Sequence, residues 1–517
     1  MPHPEFPILS LVIFLPLAAG LLLFMPINRR FIRSIALVAA LMELGLSGVA
    51  LAWFDRSTAA MQLLERMPWI PSLHIEYSLG VDGISILFLP LTALINVCVI
   101  AASWNTIHTL PRLYFALLLW LEGVTVGIYS ALDLGLFFVF WEMTLPILYF
   151  LIGLWGVGPQ RRHAAMKYTL MMLAGGVPLL LGFMLLALNN AQENSMAVPA
   201  GLSFDYFTLL ETPVAFPLQS TIFVLLLLGF AVKAPLFPFH VWLPTAAMEG
   251  PVGVTALLMG LKLGLYGIIR FVVPFAPQAT HHYSKLLAGL GIVCALYGAL
   301  IALKQTNLRR MLAFSSISHV GMVLIGIAVV NIQGIQGALF QLFNFGIVAG
   351  GIFLLTGFLH HRVGSTDITA LGGAARTMPR LASLWFILGL ASIGVPGSTG
   401  FAAENLIIIG AFKAHIGFGL VTLMAAILGA AYFLHAFRGA FLGLVSQRGV
   451  QAAVDLRPRE LSVATGLVLL ALLFGLFPQM VLGFSQKSLQ AWISRLESGP
   501  TENFAIAFNQ IKGTLKP

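Results

Sequence analysis

Stretches of about twenty apolar residues, cut by short polar segments, repeat along the whole chain. They fall near residues 8–26, 31–53, 82–103, 113–130, 132–155, 168–188, 219–242, 251–273, 285–303, 311–330, 338–359, 381–412, 417–445 and 461–484. Each is close to or above the roughly 20 residues a helix needs to cross hydrocarbon. The pattern therefore predicts an all-α polytopic membrane protein of about 14 transmembrane helices.

Polar residues carry most information where they interrupt this pattern. Lys233 stands inside Phe230 to Pro244 (FAVKAPLFPFHVWLP), with Pro235 and Pro238 close behind it. A lysine near the bilayer centre costs roughly 2.5–3.5 kcal/mol on insertion scales, and each proline removes a backbone donor and breaks the helix. Charge and free backbone are tolerated at that depth where they line a hydrated cavity enclosed by protein. The segment thus reads as the core of an ion pathway.

Four further ionisable residues lie inside apolar blocks: Glu142 in FWEMTLPILYF, Lys262 in LLMGLKLGLYG, His319 in SSISHVGMVLIG and Glu404 in GVPGSTGFAAEN. Lys233 and Lys262 lie too deep to reach a loop by snorkelling. His319 is chemically suited to carry a proton, although a lone helical histidine is as often a hydrogen-bonded packing residue. Glu122 is a candidate member of the same network. Asp133 is expected to cap the turn between two spans, and Glu43 to be an inter-helix hydrogen-bonding group. His240 follows Lys233 by seven positions and would share its face on an unbroken helix, a geometry the prolines disturb; Lys413 and His435 complete the candidates.

The breaks suggest an internal symmetry. The seventh block breaks after Lys233 at Pro235, and the twelfth at Pro396-Gly397, just before Glu404. They are five blocks apart. An odd number of helices per unit inverts the second copy in the membrane, so the chain divides into helices 1–3 (1–112), a first inverted repeat (113–273), a second (285–445), and a last helix with the C-terminal tail (446–517).

Composition sharpens the class: 59% of residues are hydrophobic and 9% charged, against about 25% charged in an average soluble domain. The formal charge of +9 invites a nucleic-acid partner, yet the basic residues do not form one patch. They follow alternate spans: Arg29, Arg30 and Arg33; Arg161, Arg162 and Lys167; Lys304, Arg309 and Arg310; Arg362, Arg376 and Arg380; Arg448, Arg457 and Arg459. The loop 189–218 carries only the acidic charges Glu193, Asp205 and Glu211. The positive-inside rule then puts both termini on the non-cytoplasmic side, with lipids and no nucleic acid as surroundings. The start lacks a basic region ahead of its first apolar block, which is long enough to remain as a span.

Cys98 and Cys294 are far apart, and no C-x-x-C pair offers a metal or cluster site. The nearest approach to a dinucleotide fingerprint, Gly289-x-Gly291-x-x-Cys294, lacks its third glycine and lies in a span. No cofactor or metal is expected in this chain. Gly346-x-x-x-Gly350, and Gly260 and Gly264 around Lys262, read as sites of close helix approach.

The blocks LEGVTVGIYSALDLGLFFVFWE (121–142), FAVKAPLFPFHVWLP, LLMGLKLGLYGIIRF and SSISHVGMVLIG are similar to the antiporter-like membrane subunits of respiratory complex I and its relatives. The resemblance is greatest to the bacterial NuoM and cyanobacterial or chloroplast NdhD type, also called chain 4, and covers spans three to twelve. It implies that Glu142, Lys233, Lys262, His319 and Glu404 form a proton pathway. It also implies that NAD(P)H or ferredoxin, iron–sulfur clusters and quinone belong to partner subunits, and that the other membrane-arm subunits are the neighbours. One position departs from the family. In Gln341-Leu-Phe-Asn-Phe-Gly346, Phe345 stands where the family commonly has histidine. A relay from His319 to Glu404 would then need Asn344 or ordered water as a bridge. Such drift resembles the specialised cyanobacterial paralogues associated with inorganic-carbon uptake.

The expected mechanism turns on Glu142 and Lys233. At 4 Å and an effective dielectric near 20 the pair is worth roughly 4 kcal/mol, more than the 2.3 kcal/mol or so that moves one charge against 100 mV. Opening it would push a proton from Lys233 through Lys262 and His319 to Glu404. The alternatives are an Mrp-type cation/proton antiporter subunit, a structural spacer between transporting subunits, and, with less chemical support, a solute transporter.

Overall fold

The computed structural model describes residues 6–498 except 27, 200 and 446, and in it the apolar blocks are helices. In chain order these are α1 (Ile8–Leu22), α2 (Ile32–Trp53), α3 (Phe88–Ser103), α4 (Pro111–Ser130), α5 (Leu134–Trp155), α6 (Arg161–Glu193), α7 (Phe216–Lys233), α8 (Trp242–Glu249), α9 (Val252–Gly260) and α10 (Leu263–Gly267). They continue as α11 (Ser284–Leu303), α12 (Leu308–Ala328), α13 (Ile332–Asn344), α14 (Gly350–Val363), α15 (Pro379–Ser392), α16 (Thr399–Ala414), α17 (Ile416–Phe441), α18 (Pro458–Leu476) and α19 (Gln479–Ser498). Among the described residues, 11 helices are long and apolar enough to cross a membrane, and three shorter apolar helices join them.

Outer faces are as apolar as the interior. Leu170, Leu173, Val177 and Leu181 on α6, and Ile416, Leu420, Met424 and Ile427 on α17, are exposed at helical spacing. By contrast α12, and α13 with α14, are almost wholly enclosed. A helix bundle that is greasy both inside and outside is solvated by hydrocarbon, and the chain is an integral membrane protein.

Three spans are interrupted. The chain leaves helical geometry after α7 at Lys233 and resumes at Phe239, and it leaves again after α15 at Ser392 and resumes at Thr399. Both gaps fall on the prolines that the sequence marks, and Gly394 and Gly397 take φ of 69° and 90° in the second, a region open to glycine at no steric cost. The third interruption, between α9 and α10 at Leu261-Lys262, has no proline and was not expected. π-helical turns follow at Ile268–Val272 and Phe345–Ala349.

One element departs from the all-helical expectation. Strands β1 (Gln62–Ile70) and β2 (Ile75–Val81) form an antiparallel hairpin between α2 and α3. Its Glu65 carboxylate accepts from Leu9 N at 2.7 Å and Ser10 N at 3.1 Å, satisfying free donors at the start of α1. On the same end of the bundle lies α19, a helix separate from α18. The expected last block, 461–484, therefore runs across a helix boundary, and the expected tail is described as far as residue 498. Ser488 accepts from Gly83 N at 3.0 Å, and Trp492 Nε1 donates to Ile269 O at 3.0 Å. Beneath it Arg270 and Asp82 form a buried two-pronged ion pair. The opposite end gathers basic contacts: Arg33 donates to Ile107 O at 3.0 Å, Arg309 to Gly250 O at 2.6 Å, and Arg362 pairs with Glu460.

Asp133 caps α5 as expected. Its carboxylate accepts from Leu136 N at 3.0 Å and also from Glu76 N in the hairpin at 3.1 Å. Burial lifts this carboxyl to about 6, desolvation outweighing the N–H groups that lower it. Replacing Asp133 with Ala removes a cap and a hairpin anchor together. The expected loss is about 1–2 kcal/mol, seen as a lower melting temperature of the solubilised protein, with Asp133→Asn retaining most of the stability.

Candidate functional site

The interruptions position the buried charges. Residues 141 and 144 share a face of α5, three positions apart, while 142 lies about 100° round the helix from 141. Lys233, the last residue of α7, meets the first face. Its ammonium donates to Thr144 Oγ1 at 2.8 Å and Trp141 O at 3.2 Å and lies 3.8 Å from the centre of the Trp141 ring. Glu142 points towards α6, where a Cβ on Gly176 would come within 2.4 Å of Oε1. The expected 4 Å contact between Glu142 and Lys233 is absent among the described ion pairs. The helical phase of α5 is the reason: one residue's step sends the carboxylate and the lysine's partners in different directions.

Lys262 occupies the gap between α9 and α10 and is 4% exposed. It donates to Leu258 O at 3.3 Å, one of the carbonyls that the end of α9 leaves without a helical partner. Glycines let the surrounding backbones close in. A Cβ at Gly264 would lie 2.3 Å from Ala234 N, at the broken end of α7, and one at Gly260 would lie 3.2 Å from Gly346 Cα.

In the second half, His319 on α12 has only acceptors around its ring. Nδ1 lies 2.8 Å from Ser315 O, and Nε2 lies 3.0 Å from Ser392 O and 3.3 Å from Glu404 Oε1. Ser392 ends α15, so the break supplies its carbonyl. His319 and Glu404, expected to need Asn344 or ordered water as a bridge, approach each other directly. Asn344 is occupied elsewhere, with Thr399 Oγ1 donating to its Oδ1 and Gln341 accepting from its amide.

Phe345 lies not between His319 and Glu404, as anticipated, but beside a different pair of groups. Its ring stands between Lys262, whose ammonium is 5.3 Å from the ring centre, and His319, at 6.3 Å between ring centres. A cavity lined by Ser315, Ser316, His319, Gln341, Asn344 and Phe345 lies beside this ring. A second, lined by Thr125, Thr144, Tyr168, Lys233, Leu258 and Leu261, lies on the other side of the Lys262 gap. Each has room for water.

Other candidates fall outside this line. His240 is buried among Phe237, Tyr297 and Phe314, away from Lys233. Lys413 and His435 are exposed. Glu122 on α4 accepts from Asn96 on α3 and belongs to a group with Glu43. Sequence reasoning missed Thr144 and the freed carbonyls, which carry no signal of their own, and it missed the Asp82 and Arg270 pair, whose charges at block edges resemble ordinary loop residues.

These features define a class: a polytopic membrane protein whose interrupted helices enclose a line of titratable side chains. The family model described as NADH:quinone oxidoreductase/Mrp antiporter, TM, matches residues 131–429, and the chain belongs to that family. NAD(P)H-quinone oxidoreductase chain 4 1 of Synechococcus sp. (strain JA-3-3Ab) is 37% identical over 513 residues, covering 96% of this chain and 95% of the relative. NADH-quinone oxidoreductase subunit M of Rickettsia typhi is 33% identical, covering 94% and 98%. A chain of respiratory complex I from Thermus thermophilus with bound NADH matches with a TM-score of 0.84 at 29% identity, covering 95% and 99%. A chain of the Mrp complex from Dietzia sp. DQ12-45-1b shares the fold, with a TM-score of 0.81 at 23% identity, covering 95% and 97%.

Gly264→Ala tests the packing that holds Lys262 against the α7 break. Overpacking of this kind costs about 1–3 kcal/mol, and ion translocation by the native assembly is expected to fall with it, whereas Gly289→Ala, with nothing within 4 Å of the added Cβ, should change neither.

Proposed function

We propose that this chain is a proton-translocating membrane-arm subunit of an NDH-1 or complex I-type quinone oxidoreductase. In this reading NAD(P)H or ferredoxin, the iron–sulfur clusters and the quinone are handled by partner subunits. The other membrane-arm subunits are its neighbours, in a bacterial plasma membrane or a cyanobacterial thylakoid. The observation that carries the proposal is the line Glu142, Lys233, Lys262, His319, Glu404, with a water-sized cavity on each side of the Lys262 gap, in a chain that aligns along nearly its whole length with quinone oxidoreductase subunits.

Each part has a chemical task. Thr144 and Trp141 O receive the Lys233 ammonium, and the Glu142 carboxylate, held off by the phase of α5, is free to approach or withdraw as neighbouring helices shift. A change in that separation alters how tightly Lys233 holds its proton. A proton released there crosses the first cavity to Lys262, and passes the second along Ser315, Ser316 and Gln341 to His319. It then moves directly to Glu404. Units 113–273 and 285–445 act as two inverted repeats, a reading supported by one proline-marked break in each, after Lys233 and before Glu404. Both termini are assigned to the non-cytoplasmic face. The gathering of Arg33, Arg309 and Arg362 at the bundle end opposite the hairpin supports this.

Purification from the native membrane should bring down quinone oxidoreductase subunits; recovery with the subunits of a cation/proton antiporter would favour the Mrp alternative instead. In vesicles, Lys233→Ala, Lys262→Ala and Glu404→Gln should each slow proton pumping driven by quinone reduction by roughly tenfold or more. A structural spacer would pump normally with all three.

A further inference from the structure

A second group of acids lies at half depth, away from the line just described. Glu43 on α2 and Glu122 on α4 are 0% and 2% exposed, and their carboxyls are within hydrogen-bonding reach of one another. Asn96 on α3 is 1% exposed and donates from its amide to Glu122. Each of the three stands near the middle of its helix. Both carboxylate oxygens of Glu43, Oε1 of Glu122 and Oδ1 of Asn96 have no hydrogen-bond partner.

Among the described residues, no ion pair balances these acids. Helix α1, packed against α2 and α4, has no ionisable residue, and α3 has only the Cys98 thiol, which cannot supply a positive charge. Arg33 on α2 and Arg112 on α4 are each ten residues from the acid on their own helix, about 15 Å along the axis. Two carboxylates touching in a low-dielectric interior cannot both be charged. The pair must hold at least one proton. A single proton shared between the two carboxyls, with the Asn96 N–H as a further donor, gives the remaining negative charge more than one hydrogen bond. Such a pair therefore has two accessible states, neutral with two protons and singly negative with one.

Its position gives that exchange a destination. Thr125, about one turn beyond Glu122 on α4, lines the cavity that also contains Lys233 and Thr144. We propose that Glu43, Glu122 and Asn96 form a proton-holding site that loads Lys233 through this cavity. When the Lys233 amine is neutral, an O–H bond of the doubly protonated pair breaks and an N–H bond forms on Nζ. The pair keeps one proton and one negative charge, and it regains its second proton from a hydronium ion arriving from the aqueous side, which leaves as water. The site rests on the reading of Lys233 as a pathway residue for its purpose, and on the carboxyl pair alone for its existence.

Infrared difference spectroscopy of the intact assembly in native membranes tests it, with the carboxylic-acid C=O band compared in H2O and D2O. The wild type should show a band that shifts on deuteration. Glu43→Gln and Glu122→Gln, which keep the shape of each side chain, should each displace that band, and the double variant should lose it. Should the double variant fail to assemble, the two single variants decide. Bands unmoved in both overturn the proposal, as does a wild-type band that disappears when sodium replaces choline at constant ionic strength, which would mark a metal-cation site. Glu122→Gln should also slow pumping several-fold with quinone reduction retained; unchanged pumping overturns the loading role. In Lys233→Ala the band should persist. Normal pumping by Lys233→Ala would sink the pathway reading, and a persistent band there would leave the carboxyl pair standing.

Discussion

Everything in this bundle answers to one constraint: a charge held at half the depth of the membrane must be solvated by protein, and an intact α-helix has no backbone groups to spare for that work beyond the second lone pair of carbonyls such as Trp141 O and Ser315 O. Interrupting a helix releases them. Lys262 takes a carbonyl from the end of α9, and His319 takes Ser392 O from the end of α15. Lys233, at its own helix end, is held by a hydroxyl, a carbonyl and an aromatic face of α5. Interrupted helices and buried charges are thus two aspects of one device, and the glycines at 260 and 264 bring the broken ends close enough for it to be compact.

How much of this is readable in the sequence follows from which residues leave a trace there. Apolar blocks mark the helices because hydrocarbon demands a run of fixed length. Prolines mark two of the interruptions because they cannot donate. The Lys262 gap has neither signal: its only trace is the charge itself, and a lysine within an apolar block does not say whether the helix around it bends. The hairpin was legible in principle, since His74 to Val81 alternates polar and apolar residues, but a strand between two membrane spans has no counterpart in block-by-block reading. The last block failed for a related reason. Hydropathy runs on across Phe477-Pro478, where the chain ends one helix and lays another along the bundle end.

The five titratable positions could be picked out of the apolar blocks by their charge alone. Their pairings could not. Which face a side chain takes depends on helical phase, and this separates Glu142 from Lys233 although both belong to the same neighbourhood. Three-dimensional closeness then joins His319 to Glu404 without an intermediary. Sequence position puts Phe345 close to the candidate residues but says nothing of which two groups its ring lies between.

That last point bears on how a line with an aromatic in it works. A phenyl ring has no titratable nitrogen, so no proton passes through Phe345. Its face attracts the Lys262 ammonium, at a distance where such contacts are worth about 0.5–2 kcal/mol. The cavity beside the ring offers the hydroxyls of Ser315 and Ser316 and the amide of Gln341 as partners for water. In the proposed pathway, a phenyl ring at this point leaves the step to water in the cavity beside it. A proton hop between side chains needs ring rotation or a change of tautomer, whereas a water bypass needs only that the cavity stay hydrated. On the proposed pathway, transfer from Lys262 to His319 would then be governed by how well these polar side chains hold water against the surrounding leucines and phenylalanines, and less by the acidity of any single group.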